Sequence, residues 1–277
     1  MNEIERAPAR IHVLLARESK MSIVLRRGPS WQTAVIGWNR EDDSFTLGQW
    51  LNGKIYGYRS DISPNGEHWI YMASKHRKTR IIFTAMARVP YLKAMDFYEM
   101  KNAWNGGGLF YDNHTYWLNE YPGSQQYTEK RKTSPFHTIP TWPGYENEPG
   151  ECPGIYFRRL ERDSWVLTDN CTCPSECTSV FVKPVDEFWN LEKRFHGTSD
   201  RQTGRSPYYE EYSIIHRKTF MEISFQEWEW ADVDSERIVW AEKGRIMTAQ
   251  LCHSGLSGAK QLYDANPIVF KELTAPY

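Results

Sequence analysis

No stretch of the 277 residues approaches the roughly 18 consecutive apolar positions of a membrane-spanning helix. The start, Met-Asn-Glu-Ile-Glu-Arg-Ala-Pro, lacks the basic segment, apolar run and small-residue cleavage site of a secretory signal. A soluble, cytoplasmic protein is expected. Charge of one sign is missing too: 34 Lys+Arg against 35 Asp+Glu leave a formal net charge of −1, so no overall field would hold a polyanion or an anionic membrane. Neither nucleic acid nor membrane is the expected partner. Cysteine is scarce and odd in number at five, which in a chain without an export signal reads as reduced thiols rather than a disulfide framework.

Catalytic signatures are also lacking. None of His12, His68, His76, His114, His137, His196, His216 and His253 belongs to a His-Glu-x-x-His motif, and no Gly-x-Ser-x-Gly elbow occurs. Gly106-Gly-Gly108 is followed by Leu-Phe where a phosphate loop needs Lys-Ser/Thr, so backbone freedom at a strand entry is the simpler reading. No catalytic or cofactor-binding residue is assigned.

What the chain does contain is aromatic and β-branched material, with 12 Trp, 16 Tyr and 12 Phe, in many short alternating runs separated by turn residues. Strands are predicted at Ile11–Ala16, Ser22–Arg26, Thr33–Trp38, Phe45–Leu51, Trp69–Ala73, Arg80–Ala87, Leu109–Asp112, Thr115–Leu118, Ile155–Arg158, Trp165–Thr168, Val180–Lys183, Ile214–Arg217, Ile238–Ala241 and Arg245–Leu251. A unit of strand, polar turn and second strand recurs, its second strand beginning at Met21, Trp69, Trp117 and Trp165, each 48 residues after the last. Repeats of this length with about four strands cannot bury their own faces and must pack around an axis. The predicted fold is therefore all-β, a single β-propeller of five or six four-stranded blades spanning 1–277, with a long loop excursion at 119–153 and a shorter polar one at 196–207.

The turn Ser63-Pro-Asn-Gly66, flanked by Asp61 and Trp69, resembles the corresponding segment of propellers of the WD-repeat and Tol-type superfamily. The resemblance covers single short segments and implies the same blade architecture.

Three groups of residues are candidates for chemistry. Cys152, Cys171, Cys173 and Cys177 put four thiols in 26 residues, a possible zinc or iron–sulfur set, but the single residue between Cys171 and Cys173 is shorter than the Cys-x₂₋₄-Cys spacing that directs two sulfurs at one ion. No metal or cofactor is expected. Asp61, Asp112, Asp163, Glu210, Glu211, Asp232 and Asp234 recur at turns and, if gathered on one rim, would supply an acid/base pair; as turn residues they would bind their own backbone amides instead. Lys75–Arg80 and Lys130-Arg-Lys132 are basic, the latter amid aromatics, a pattern that suits single-stranded nucleic acid only if the surrounding charge agrees.

The sequence favours a non-catalytic protein-interaction scaffold. Tyr121, Tyr127, Phe136, Trp142 and Tyr145 lie in the 119–153 segment, too polar to form core, and are the expected anchors for another protein. On this reading deletion of 122–148 would abolish partner capture and leave the fold intact. A second reading is a propeller hydrolase or lyase acting on a carbohydrate or lactone through two rim carboxylates. A third makes the chain an accessory subunit of a bacterial multi-protein system, of the defence or CRISPR-associated kind, for which no residue argues.

Overall fold

The computed structural model describes residues 7–28, 31–76, 80–120, 127–144, 151–169, 173, 176–200 and 207–277. Among them it is β-rich, with strands gathered mainly into antiparallel meanders and one helix. In chain order the first elements are β1 (Arg10–Leu15), β2 (Met21–Arg27), β3 (Gln32–Asn39), β4 (Ser44–Ile55), β5 (Asp61–Ile62), β6 (His68–His76), β7 (Arg80–Arg88) and β8 (Asp96–Met100). Then come β9 (Gly108–Phe110), β10 (Thr115–Leu118), β11 (Tyr127–Lys132), β12 (His137–Ile139) and the helix α1 (Cys152–Arg162). The remainder are β13 (Val166–Asp169), β14 (Ser179–Pro184), β15 (Trp189–His196), β16 (Tyr209–His216), β17 (Glu222–Phe225), β18 (Trp228–Asp234), β19 (Arg237–Glu242), β20 (Arg245–Cys252) and β21 (Gly255–Asp264).

The chain divides into two compact units, the first holding His12–Arg159 and Ile268–Tyr277, the second Pro8–Ile11 and Leu160–Pro267. In the first, the meanders are joined by β4, which pairs β3 along most of its length and β6 at Gly53–Ile55, so that one hydrogen-bonded path runs β1-β2-β3-β4-β6-β7-β8-β11. A small sheet of order β12-β10-β9 completes it. The second unit holds a five-stranded meander, β13 to β17, and a four-stranded one, β18 to β21. The sheets are thus unequal in place of the expected run of four-stranded blades, and β18–β21 is the separate sheet with four strands.

The 48-residue spacing corresponds to real hairpins for three of its copies. Met21 opens β2, Trp69 pairs with Ile62 across β5–β6, and Trp117 pairs with Leu109 across β9–β10. Trp69, Trp117, Trp165 and Trp240 are all buried, as packing residues should be.

The fourth copy fails. Ile155–Arg158, read as a strand, lies inside α1, where Pro153 suits the first turn and Ile155, Tyr156, Arg158, Arg159 and Leu160 are all buried. The helix is amphipathic over its eleven residues, but the four-residue window Ile155–Arg158 covers barely one turn and reads equally well as strand. Residues 159–164, read as a polar turn, hold the end of the helix and its cap. Trp165 N–H donates to the Leu160 carbonyl and Ser164 N–H to that of Glu161, with Ser164 in the left-handed region at φ 70, a Schellman closure that normally uses glycine.

The 119–153 excursion is also more ordered than expected. β11 pairs antiparallel with β8, β12 pairs parallel with β10, and the segment is clasped by Asp96. This carboxylate, 0% exposed, accepts bonds from the Lys132 ammonium at 2.8 Å, the Thr133 and Ser134 amides at 2.9 Å each and the Tyr116 hydroxyl at 3.2 Å. Lys132 continues to the Phe136 carbonyl at 2.8 Å, and Tyr98 meets Tyr116 oxygen to oxygen at 2.7 Å. Burial works to raise the Asp96 carboxyl, but its bonds to Lys132 and Ser134 prevail and hold it below the usual range. Deleting 122–148 therefore removes strands and a buried ion pair rather than a dispensable loop.

A carboxyl whose folded pKa is depressed contributes stability that is present above its unfolded value, about 3.9, and is lost as pH falls through the lower folded value. Asp96→Asn should lower the unfolding free energy at pH 7 by about 3–5 kcal/mol, the typical result of stripping one partner from a buried pair. The gap between variant and wild type in urea titrations should narrow below pH ~4. A variant indistinguishable from wild type at neutral pH would show that the clasp is dispensable.

Candidate functional site

The expected anchors do not form an exposed row. Phe136, 7% exposed, packs edge-on against His68 and Phe110 at 5.0 and 5.7 Å between ring centres, within a core cluster that includes Ile70, Met86 and Tyr116. Trp142, 9% exposed, sits against Trp117 and Tyr111 and shares a cluster with Leu109 and Ile155. Tyr127 is half-buried on Tyr98 at 5.2 Å, and Tyr121 and Tyr145 lie outside the described residues. The segment reads as polar because its apolar side chains are widely spaced. Phe136 and Trp142 each still reach a core cluster, which composition does not reveal.

Exposed aromatics occur instead on either side of β9. Trp104, in the loop before it, is 65% exposed, and Tyr111, directly after it, is 48% exposed. The Trp104 loop is held from within. Arg59, at the end of the 3₁₀ turn Gly57–Arg59, is buried and its guanidinium donates to the carbonyls of Ala103, Trp104 and Asn105 at 2.7, 3.1 and 3.1 Å. Its Nε faces Cys152 Sγ at 3.4 Å, where α1 begins. On the far side of the loop Gly106 N–H donates to the Asn119 carbonyl, Asn119 N–H to that of Gly107, and Gly107 N–H to Thr84 Oγ1 at 2.7 Å. Gly107 has φ 83, and a Cβ there would collide with the Arg59 carbonyl oxygen, so the glycine triplet serves a close backbone approach.

Positive charge collects around this turn. Lys54 lies over the Tyr56 ring at 4.4 Å, and its ammonium is held below the usual lysine range chiefly by burial, with Tyr56 opposing and the Arg27 and Arg59 charges adding to the effect. Arg159, also buried, donates to the Gly57 carbonyl at 3.0 Å and to that of Ser60, and its other nitrogen meets His12 Nε2 at 3.2 Å. Arg59 and Arg159 are thus both solvated by backbone oxygens. Sequence reading missed them because a buried arginine serving carbonyls has no motif.

The turn carboxylates are engaged locally. Asp112 accepts from the His114 and Thr115 amides at 2.7 and 2.8 Å, and Asp61 accepts from Phe110 N–H at 2.8 Å. Asp163 pairs with Arg162 at 2.8 Å, Glu211 with His196 at 3.1 Å and Asp234 with Arg237 at 2.8 Å. Asp232 binds Lys183 at 2.7 Å and the Val233 amide. Glu210 takes the Tyr212 hydroxyl at 2.6 Å and faces the buried Lys193 ammonium at 3.4 Å. Burial acts to raise Asp232, yet the charges of Lys183 and Lys193 keep it below the usual range.

The four cysteines do not form one thiolate set. Cys177 is in a disulfide, its partner outside the described residues, which corrects the expectation of reduced thiols throughout. Cys152 and Cys173 are free, Cys152 against Arg59, and Cys171 is not among the described residues. Among the described residues no cluster of three or more His, Cys, Asp or Glu is arranged to hold a metal ion. The basic run at 130–132 is neutralised in part, Lys130 by Glu99 at 3.5 Å and Lys132 by Asp96. Among the described residues no helix is long and apolar enough to cross a membrane.

No family model matches the sequence, and no curated protein does. A solved structure, the crystal structure of the tricorn protease, aligns with 92% of this chain at 11% identity and a TM-score of 0.25. The chain spans 26% of that protein's length, and at this similarity nothing is transferred from it.

Arg59 meets all three carbonyls with the single terminal nitrogen Nη1 while its Nε faces Cys152; lysine keeps the charge but is one atom shorter and has no second donor for Cys152. Arg59→Lys should speed amide exchange at Asn105–Gly107 by about tenfold or more, equivalent to ~1.4 kcal/mol of local stability. Unchanged exchange would mean that the loop is fixed from the Asn119 side alone.

Proposed function

We propose that the chain is a non-catalytic adaptor that binds another protein through the Trp104 and Tyr111 loops of its first unit. The observation that carries this reading is Trp104: a large aromatic left 65% exposed on a loop whose carbonyls are fixed by a buried arginine. A side chain ordered before binding surrenders little conformational freedom on contact, and tryptophans of this kind dominate interface energies. The exposed Lys101, three residues before Trp104, favours a partner segment with a carboxylate beside an apolar residue. The cytoplasm is the proposed compartment; there the Cys177 disulfide would be reduced, and the Trp104 loop, which does not involve it, would be unaffected.

In affinity purifications of the tagged full chain, Trp104→Ala/Tyr111→Ala should reduce recovery of a specific partner at least about tenfold, a modest consequence for a hot-spot residue worth ~2 kcal/mol. Its melting temperature should stay within a few degrees of wild type, because Trp104 is mostly in water and Tyr111 is half exposed at the edge of Trp142. Undiminished partner recovery would rule this surface out.

A further inference from the structure

In the second unit, β16 and β17 pair antiparallel and are joined by residues 217–221. This connection is tightly specified. Phe220 N–H donates to the His216 carbonyl at 2.8 Å and His216 N–H to the Met221 carbonyl at 2.9 Å. His216 Nδ1 accepts from the Lys218 and Thr219 amides at 3.3 and 3.2 Å, while its ring meets Trp189 edge-on at 5.0 Å. The loop is therefore a rigid projection seated on a buried histidine.

At its tip Phe220 has φ 57, the left-handed region that glycine and asparagine occupy at little expense and an aromatic residue does not. The other non-glycine residues described with positive φ are Asp43, Ser164, Ser235 and Lys243, none of them apolar. Burial gives nothing back, because Phe220 is 79% exposed and its neighbour Met221 44%. Two apolar side chains thus stand in water on a fixed backbone that would be more stable with glycine. Strain held without packing in return is characteristic of residues kept for recognition.

We propose that Phe220 and Met221 form a second recognition element, a finger that inserts into an apolar pocket of a protein partner. The surrounding charges distinguish this occupant from a lipid surface. Arg217 and Lys218 are beside the tip, but Arg217 also bonds the Asp186 and Phe188 carbonyls, which brings the acidic turn Asp186-Glu187 alongside, and Glu222 follows Met221. That mixture gives no net attraction to anionic headgroups and matches the mixed polar rim of a protein interface.

The test uses the full chain. Phe220→Gly should melt about 2–4 °C above wild type, as relief of backbone strain requires in a protein of this size. A lower melting temperature would show that Phe220 is structural and overturn the proposal. With p-benzoylphenylalanine at position 220 in producing cells, ultraviolet light should yield one adduct, mapping to a single apolar segment of another protein and lost on Met221→Asp. No adduct, an adduct to a second copy of the chain, or Phe220-dependent sedimentation with phosphatidylserine vesicles would overturn it. Trp104→Ala should leave the adduct unchanged, so this element and the Trp104 surface succeed or fail separately.

Discussion

A backbone carbonyl withdrawn from water must find a donor, and in the first unit that requirement is met by a charge. Arg59 supplies the donors for a loop whose oxygens belong to no ladder, and Arg159 does the same for the turn that carries Arg59. The two guanidiniums tie the 57–60 turn, the 103–105 loop and the first half of α1 into one body. Each buried guanidinium is met by several carbonyl dipoles, a looser form of compensation than a carboxylate partner. This gives the loops of a β-protein the stiffness usually reserved for its strands.

The second unit handles buried charge differently. Lys183 and Lys193 both lie over the Trp165 ring, at 5.6 and 4.4 Å, and their ammonium groups are matched by Asp232 and Glu210. The ring attracts both ammonium groups. Acids that looked like candidates for proton transfer are thereby occupied in holding the sheets' charged residues in place.

Strand positions were legible where a short β-branched, aromatic or apolar run is bounded by polar and turn residues. Thr115–Leu118 was bounded correctly, and the β2, β3, β7, β19 and β20 predictions were off by one or two residues at their ends. A strand of polar sequence went unseen. β11 is Tyr-Thr-Glu-Lys-Arg-Lys, stabilised by its pairing to β8 and by the Asp96 clasp, neither of which is local in sequence. The helix was missed because its apolar residues Ile155, Tyr156 and Phe157 are consecutive, and a window of one turn does not separate that from a strand. For the candidate surface, composition identified an aromatic-rich region but not which rings face water: Phe136 and Trp142 turn inward, whereas Trp104 sits among Asn, Ala and Gly with no pattern to mark it. The signal that could have singled out Phe220 was its place in a tight hairpin connection where glycine is usual.

The second unit is closed by residues from near the opposite end of the chain. Ala9 N–H donates to Asn266 Oδ1 and Ile11 N–H to Glu229 Oε2, across 257 and 218 positions. During synthesis the donors emerge first and must wait for 257 and 218 further positions before their acceptors exist. The unit cannot complete itself as it is made, and its assembly belongs to the slow, high-contact-order class in which unfinished sheet edges stay open to the wrong neighbours.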